Sequence, residues 1–181
     1  LLDLTDAMGF LVMDEVFDSW ELKKTPLDFH LIFPEWREAD LRSMIRRDRN
    51  HPSVILWSVG NEVGEQYSGE AGASLTRELV TIAKDEDPSR LTTLAMNFAK
   101  ADMPMPREAE VISLNYQGAG IRGIIGQYPA FHAAFPDRVI LSSESASALS
   151  SRGEYLFPVA GAISGPVRPY SGGDPVTHQV S

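Results

Sequence analysis

Residues 54–65 read VILWSVGNEVGE. An apolar run from Val54 to Val59 breaks off at Gly60-Asn61-Glu62. A short run of this kind, rich in β-branched residues and bounded by turn residues, reads as a buried strand. Gly and Asn suit a tight bend, and a glutamate in such a bend is ordinarily solvated. The sharper alternative is that the strand aims Glu62 at a site. The ends of the other strands decide between the two.

Working outward, residues 1–8 look like the end of a helix closed by Gly9. Phe10 to Met13 forms a short apolar strand ending in Asp14-Glu15. Residues 16–33 read as a long loop rich in aromatics. A helical pattern runs from Pro34 to about Arg49, with Trp36, Leu41, Met44 and Ile45 as its apolar positions. Asn50-His51-Pro52 stops it, and His51 reads as a structural turn residue. Downstream of Glu62 a helix is expected over 69–86, with Ala71, Leu75, Leu79, Ile82 and Ala83 on one stripe, ended by Asp87-Pro88. Strands follow at 91–96, 111–114 and 138–142, with a weak helix around 124–135. Residues 158–175 are rich in Gly, Pro and Ser and have little periodicity. The expected division is a catalytic unit over 1–157 and a loop or truncated element over 158–181.

Strand and helix alternate, and the strands are apolar on both faces. That is the signature of an α/β fold with helices covering a parallel sheet. Each strand hands over to polar residues: Asp14-Glu15, Asn61-Glu62, Asn97, Asn115-Tyr116 and Ser143-Glu144. In a parallel sheet these ends share one edge. In a (β/α)8 barrel that edge is the rim where active sites lie. A purely structural sheet gains nothing from five polar ends in register.

The 181 residues carry 43% hydrophobic and 23% charged side chains, with a formal charge of −9. The acidic balance argues against nucleic acid or an anionic membrane as partner, since both want a basic face. The cluster Arg46-Arg47-Asp48-Arg49 is short and fits a helix C-terminus. There is no cysteine, which excludes disulfides, thiolate metal sites and cysteine nucleophiles. No apolar run approaches membrane-spanning length. The chain opens on Leu1 already in a helical pattern, so it is expected to be a piece of a longer one.

Glu62 and Glu144 both follow central-looking strands. Glycoside hydrolysis needs such a pair flanking the scissile bond, roughly 5–5.5 Å apart in a retaining enzyme. Only a closed fold brings together residues so distant in sequence. Trp57 and Tyr116 fall near the same rim, and aromatic faces stack on sugar rings. Asp14 and Glu15 are candidates to bind sugar hydroxyls or support the rim, Glu15 more readily the latter. Glu65 and Glu70 read as solvated residues at a helix start.

These motifs resemble glycoside hydrolase family 2, the β-galactosidase, β-glucuronidase and β-mannosidase family. HPSVILWSVGNEVGE (51–65) is similar to the segment carrying that family's acid/base, which implies Glu62 in that role. GFLVMDEVFDSW (9–20) resembles the third barrel strand and its loop, and VILSSESASALSSRGEY (139–155) the nucleophile segment, which implies Glu144. By the same resemblance Asn61 binds the sugar 2-hydroxyl and Tyr116 hydrogen-bonds the nucleophile. The five strands would be about the third to seventh of a partial (β/α)8 TIM barrel. Ser145 after Glu144 resembles a branch composed largely of β-galactosidases, whereas other members have Tyr there.

The expected reaction is retaining hydrolysis of β-galactosides by double displacement, with β-glucuronides or β-mannosides as alternatives. Glu62 then needs a raised pKa while Glu144 stays ionised. The implied partner is a β-linked carbohydrate, and the full-length protein could form a homo-oligomer. The chemistry requires no cofactor. Members of the family use Mg²⁺ or Na⁺, but no ligand cluster can be argued from these residues. Without its remaining strands the barrel cannot close, so the chain alone is expected to be inactive or poorly folded. A rival reading rests on Gly118-Ala119-Gly120-Ile121-Arg122-Gly123, which fits the G-x-G-x-x-G fingerprint of dinucleotide-binding oxidoreductases. Asn115-Tyr116-Gln117 intervene before its first glycine, Gly126 and Pro129 interrupt the helix after it, and Gly60-Asn61-Glu62 is left unexplained.

Overall fold

The computed structural model describes residues 1–116 and 126–144. The dinucleotide fingerprint and the Gly/Pro-rich tail lie outside these residues. Five parallel strands form one curled sheet: β1 (Val12–Glu15), β2 (Val54–Asn61), β3 (Leu91–Met96), β4 (Val111–Asn115) and β5 (Ile140–Glu144). Their spatial order is β1-β2-β3-β4-β5, so each strand pairs only with its neighbours in the chain. This is half of a (β/α)8 barrel wall, and all five C-termini share one edge.

The described helices are α1 (Leu2–Met8), α2 (Phe33–Asp48), α3 (Glu70–Glu86) and α4 (Tyr128–Ala134), with short 3₁₀ turns at Phe29–Leu31, Gly64–Tyr67 and Met105–Glu108. Gly9 closes α1 in the left-handed conformation, as expected. The outer face of the sheet meets α2 and α3 through one apolar cluster that includes Leu41, Ile45, Val54, Val59, Leu79, Leu94, Ile112 and Leu114. The inner face is polar: Glu15, Ser58, Thr93, Ser113 and Asn115 are joined partly by Ser58–Glu15 and Thr93–Ser113 hydrogen bonds of 2.6 and 2.8 Å. Strands that face a core on one side and a lined pocket on the other need this alternation. Among the described residues no helix is long and apolar enough to cross a membrane.

Two helical faces differ from expectation. Trp36 is 52% exposed, and α2 instead buries Phe33, Leu41, Met44, Ile45 and Asp48. In α3 the buried face is Gly72, Ala73, Thr76, Leu79, Ile82 and Ala83, while Ala71 is exposed. The first turn of α3 abuts the 3₁₀ turn Gly64–Tyr67, and a Cβ on Gly72 would stand 2.1 Å from the Glu65 carbonyl oxygen. Backbone blocks the space, so a side chain cannot swing away. Gly72→Ala in the full-length protein is expected to cost about 3 kcal/mol, read as a lower denaturant midpoint at unchanged slope.

The aromatic stretch 16–33 is a loop, as expected, with a core of its own. Phe17 stands edge-on to Phe33 at 5.1 Å and stacks on Phe29 at 5.5 Å, and Trp20 stacks on Phe33 at 6.2 Å. The Trp20 indole donates to the Val59 carbonyl at 2.9 Å and lies across Gly60, where a Cβ would meet the ring at 2.9 Å. The loop is thereby pinned over the end of β2. At the opposite end of β2, His51 Nδ1 pairs with Asp6 at 2.6 Å, which fixes the turn into the strand. Arg46 and Arg47 fall in the last turn of α2, and Arg46 also bonds Glu86 of α3 at 2.8 Å.

Candidate active site

Asn61 and Glu62 stand at the end of β2, Asn115 and Tyr116 at the end of β4, and Glu144 at the end of β5. Asn115 connects these positions. It is fully buried, its Nδ2 donates to Glu62 Oε1 at 2.8 Å and to Asn61 Oδ1 at 3.1 Å, and its Oδ1 accepts from Ser143 Oγ at 2.6 Å. Asn115 is also the register partner of Glu144, and the Tyr116 N–H donates to the Glu144 carbonyl at 2.6 Å. Glu62 and Glu144 are thus held on one rim with two strands between them.

Glu62 and Tyr116 have φ of 46° and 59°. Non-glycine residues rarely adopt positive φ, and such strain collects at functional sites. Each is held there by a backbone bond: Glu62 N–H donates to Ala95 O at 2.8 Å, and Tyr116 N–H to Glu144 O. The register shifts between Ser58 and Asn61, and again between Leu114 and Asn115, turn the strand ends at these points.

Asp18 completes the arrangement from the pinned loop, and nothing in the sequence reading singled it out. Its Oδ1 accepts from Asn61 Nδ2 and from Lys24 Nζ, both at 2.9 Å. Lys24 Nζ also donates to the Asn61 carbonyl at 2.7 Å. Burial works against the Asp18 charge, but the Lys24 and Asn61 bonds outweigh it and hold the carboxyl below its ordinary range. The legible signal was the aromatic density of 16–33, which marks an ordered loop rather than a linker.

Three expected placements are corrected. Asp14 does not face the rim. Strand alternation sends it outward beside Trp57, toward Asp48 of α2, while Glu15 points inward to Ser58. Burial, then the Asp48 carboxylate, pushes the Asp14 carboxyl up to about 6. One Asp14 oxygen is buried with no hydrogen-bond partner among the described residues. Trp57 is fully buried on the same outer face, where its indole donates to Asp87 at 3.0 Å under the Arg90 guanidinium. It is therefore a packing residue. Glu65 is not solvated: it is 4% exposed, accepts from Leu22 N–H at 2.7 Å, and ties the pinned loop to the turn after β2. Burial pushes its carboxyl up. Glu70, by contrast, is exposed in the first turn of α3, as expected. Asn97 is on the rim and accepts from Gln66 Nε2 at 2.8 Å.

The Asp14 placement has a measurable consequence. Its folded pKa lies above its unfolded value, so the native state holds the extra proton. Stability is then lost as pH rises from about 4 to about 6 and stays lost above that. Asp14→Asn is expected to stabilise the protein by about 1–2 kcal/mol at pH 7, and by almost nothing at pH 4. Thermal melts at the two pH values check this.

Among the described residues, the one group of side chains close enough to share a metal ion is Asp3, Asp6 and His51, at the far end of β2 from Glu62. The described rim carries carboxylate, amide and hydroxyl side chains.

A polar rim on a sequentially paired parallel α/β wall is the architecture of a (β/α)8 barrel, and Glu62 and Glu144 are its candidate acids. The chain belongs to glycosyl hydrolases family 2: the model of that family's TIM barrel domain matches residues 1–154. A β-galactosidase of Bacteroides ovatus is 40% identical over 87% of this chain and 22% of its own length. A β-glucuronidase of Streptococcus agalactiae is 31% identical over 80% of this chain and 28% of its own length. The crystal structure of a family 2 member from Bacteroides cellulosilyticus superposes with a TM-score of 0.71 at 34% identity, covering 82% of this chain and 18% of that one. The chain therefore spans about a fifth to a quarter of the length of these relatives.

Proposed function

We propose that the protein is a retaining β-galactosidase and that this chain supplies both catalytic carboxylates. The single observation that carries the reading is the Asn115 bridge, which ties Glu62 to the strand that ends in Glu144. Glu144, ionised, attacks the anomeric carbon, and the C1–O bond to the aglycone breaks as Glu62 delivers its proton to that oxygen. Water then attacks the glycosyl-enzyme, with Glu62 taking the proton back. Asn61 contacts the sugar 2-hydroxyl, and Tyr116 supports Glu144. Glu15, facing inward and held by Ser58, lines the inner wall. The reaction needs no metal and no organic cofactor. The substrate is a β-linked carbohydrate.

The galactoside preference is supported by the name of the Bacteroides ovatus relative and by Ser145 after Glu144. A second reading, β-glucuronide hydrolysis, is favoured by the β-glucuronidases of Streptococcus agalactiae and Sus scrofa, 31% and 28% identical. Hydrolysis of a panel of aryl β-galactosides, β-glucuronides and β-mannosides by the full-length protein tests the assignment. The galactoside is expected to be cleaved fastest. Preference for the glucuronide would transfer the protein to the second reading, and no cleavage of any β-glycoside would end both.

A further inference from the structure

We propose that Asn115 is the positioning residue that decides which oxygen of Glu62 carries the catalytic proton. The inference rests on the reading of Glu62 as acid/base. It begins at Asp18, whose ionised oxygen can only accept. Asn61 must therefore turn its Nδ2 to Asp18, which leaves its Oδ1 facing Asn115. That oxygen also only accepts, so Asn115 must turn its Nδ2 toward Asn61, and the same group reaches Glu62 Oε1. The remaining Asn115 oxygen takes the Ser143 hydroxyl proton. Each amide in the series has one orientation, dictated from the exposed Asp18–Lys24 pair to the strand of Glu144.

The consequence falls on Glu62. A proton on Oε1 would meet the Asn115 N–H head on, so the neutral carboxyl carries its proton on Oε2. In the first step the Oε2–H bond breaks as the aglycone O–H bond forms, and the C1–aglycone bond breaks as the C1–Glu144 bond forms. The negative charge left on Glu62 is then received by an N–H already aimed at Oε1. A hydrogen bond to a charged acceptor is about twice as strong as one to a neutral acceptor, so the contact strengthens along the reaction. Asn115 touches neither sugar nor aglycone in this scheme. Among the described residues, the charged or titratable groups on the same rim are Glu15 from β1, Asp18 and Lys24 from the loop after it, Tyr116 after β4, and Glu144 on β5.

The test uses the full-length protein, aryl β-galactosides graded by leaving-group acidity, and the pH profile of kcat/KM. Asn115→Ala is expected to lower kcat/KM about 10²-fold for a poor leaving group and only a few-fold for a dinitrophenyl galactoside. Its alkaline limb should move to higher pH, because the charged form of Glu62 has lost a donor. Asn115→Asp should move that limb further, since two carboxylates then compete for one proton. Ser143→Ala should act in the same direction more weakly, and Ser143→Thr should restore the parent profile. The serine pair carries the test if the Asn115 variants fail to fold. Equal losses across leaving groups with an unmoved alkaline limb would overturn the proposal. Glu62→Gln run beside them separates the failures. If it too lacks leaving-group dependence, the acid/base assignment falls. If it keeps that dependence and the Asn115 and Ser143 variants do not share it, only the positioning role falls.

Discussion

Glu144→Gln in the full-length protein is expected to lower turnover of every aryl β-galactoside by roughly 10⁴-fold or more, equivalent to about 5.5 kcal/mol of lost transition-state stabilisation. The amide keeps the shape of the carboxylate but cannot attack the anomeric carbon, so the glycosyl-enzyme never forms. The loss should be independent of leaving group, because protonation of the aglycone cannot replace the missing nucleophile. Circular dichroism should be unchanged, since Glu144 ends a strand whose register bonds come from its backbone. Glu144→Ala with added azide sharpens the result. Azide fills the space of the carboxylate and attacks once, so the product is the inverted α-azide. Retention of ordinary turnover in either variant would remove Glu144 from the reaction.

Glu62→Gln should behave differently. Substrates with poor leaving groups should lose about 10³-fold in kcat/KM, while a dinitrophenyl galactoside, which departs unprotonated, should lose little. Its kcat should still fall, because Glu62 also activates the water of the second step, and the glycosyl-enzyme then accumulates. A burst of released phenol followed by a slow steady state is the expected trace. Azide given to Glu62→Ala should attack that intermediate and yield the retained β-azide, the opposite anomer to the one from the Glu144 variant. The two anomers, read by NMR, separate the two roles in one experiment.

The sheet was legible because its signals are local. All five strands fall where short apolar runs meet turn residues, and β2 extends only two residues past its apolar stretch, through Gly60 to Asn61. The rim was legible because polar residues recur at each strand's end. What escaped was direction. Asp14 and Glu15 are adjacent acids, and nothing in a run as short as Phe10–Met13 says which of them points inward. The pairing of Glu15 with Ser58 and of Asp14 with Trp57 settles it. Trp57 was misplaced for the same reason: a half-step along the strand separates the inner face from the core. Glu65 was misplaced because a helix start usually exposes its acids, and here the close approach at Gly72 folds the preceding turn into the protein. Asn115 gave a signal only as a polar strand end. Its role depends on three partners from β2 and β5, far away in sequence.

The strict neighbour-to-neighbour pairing of the five strands also bears on how the chain is made. Every ladder joins segments that leave the ribosome one after the other, so each strand waits only for the next crossover to be made. Each pairing within the wall spans only one crossover, while the edges at β1 and β5 stay open until the rest of the barrel closes on them. The wall can assemble at the pace of translation, one unit upon the last.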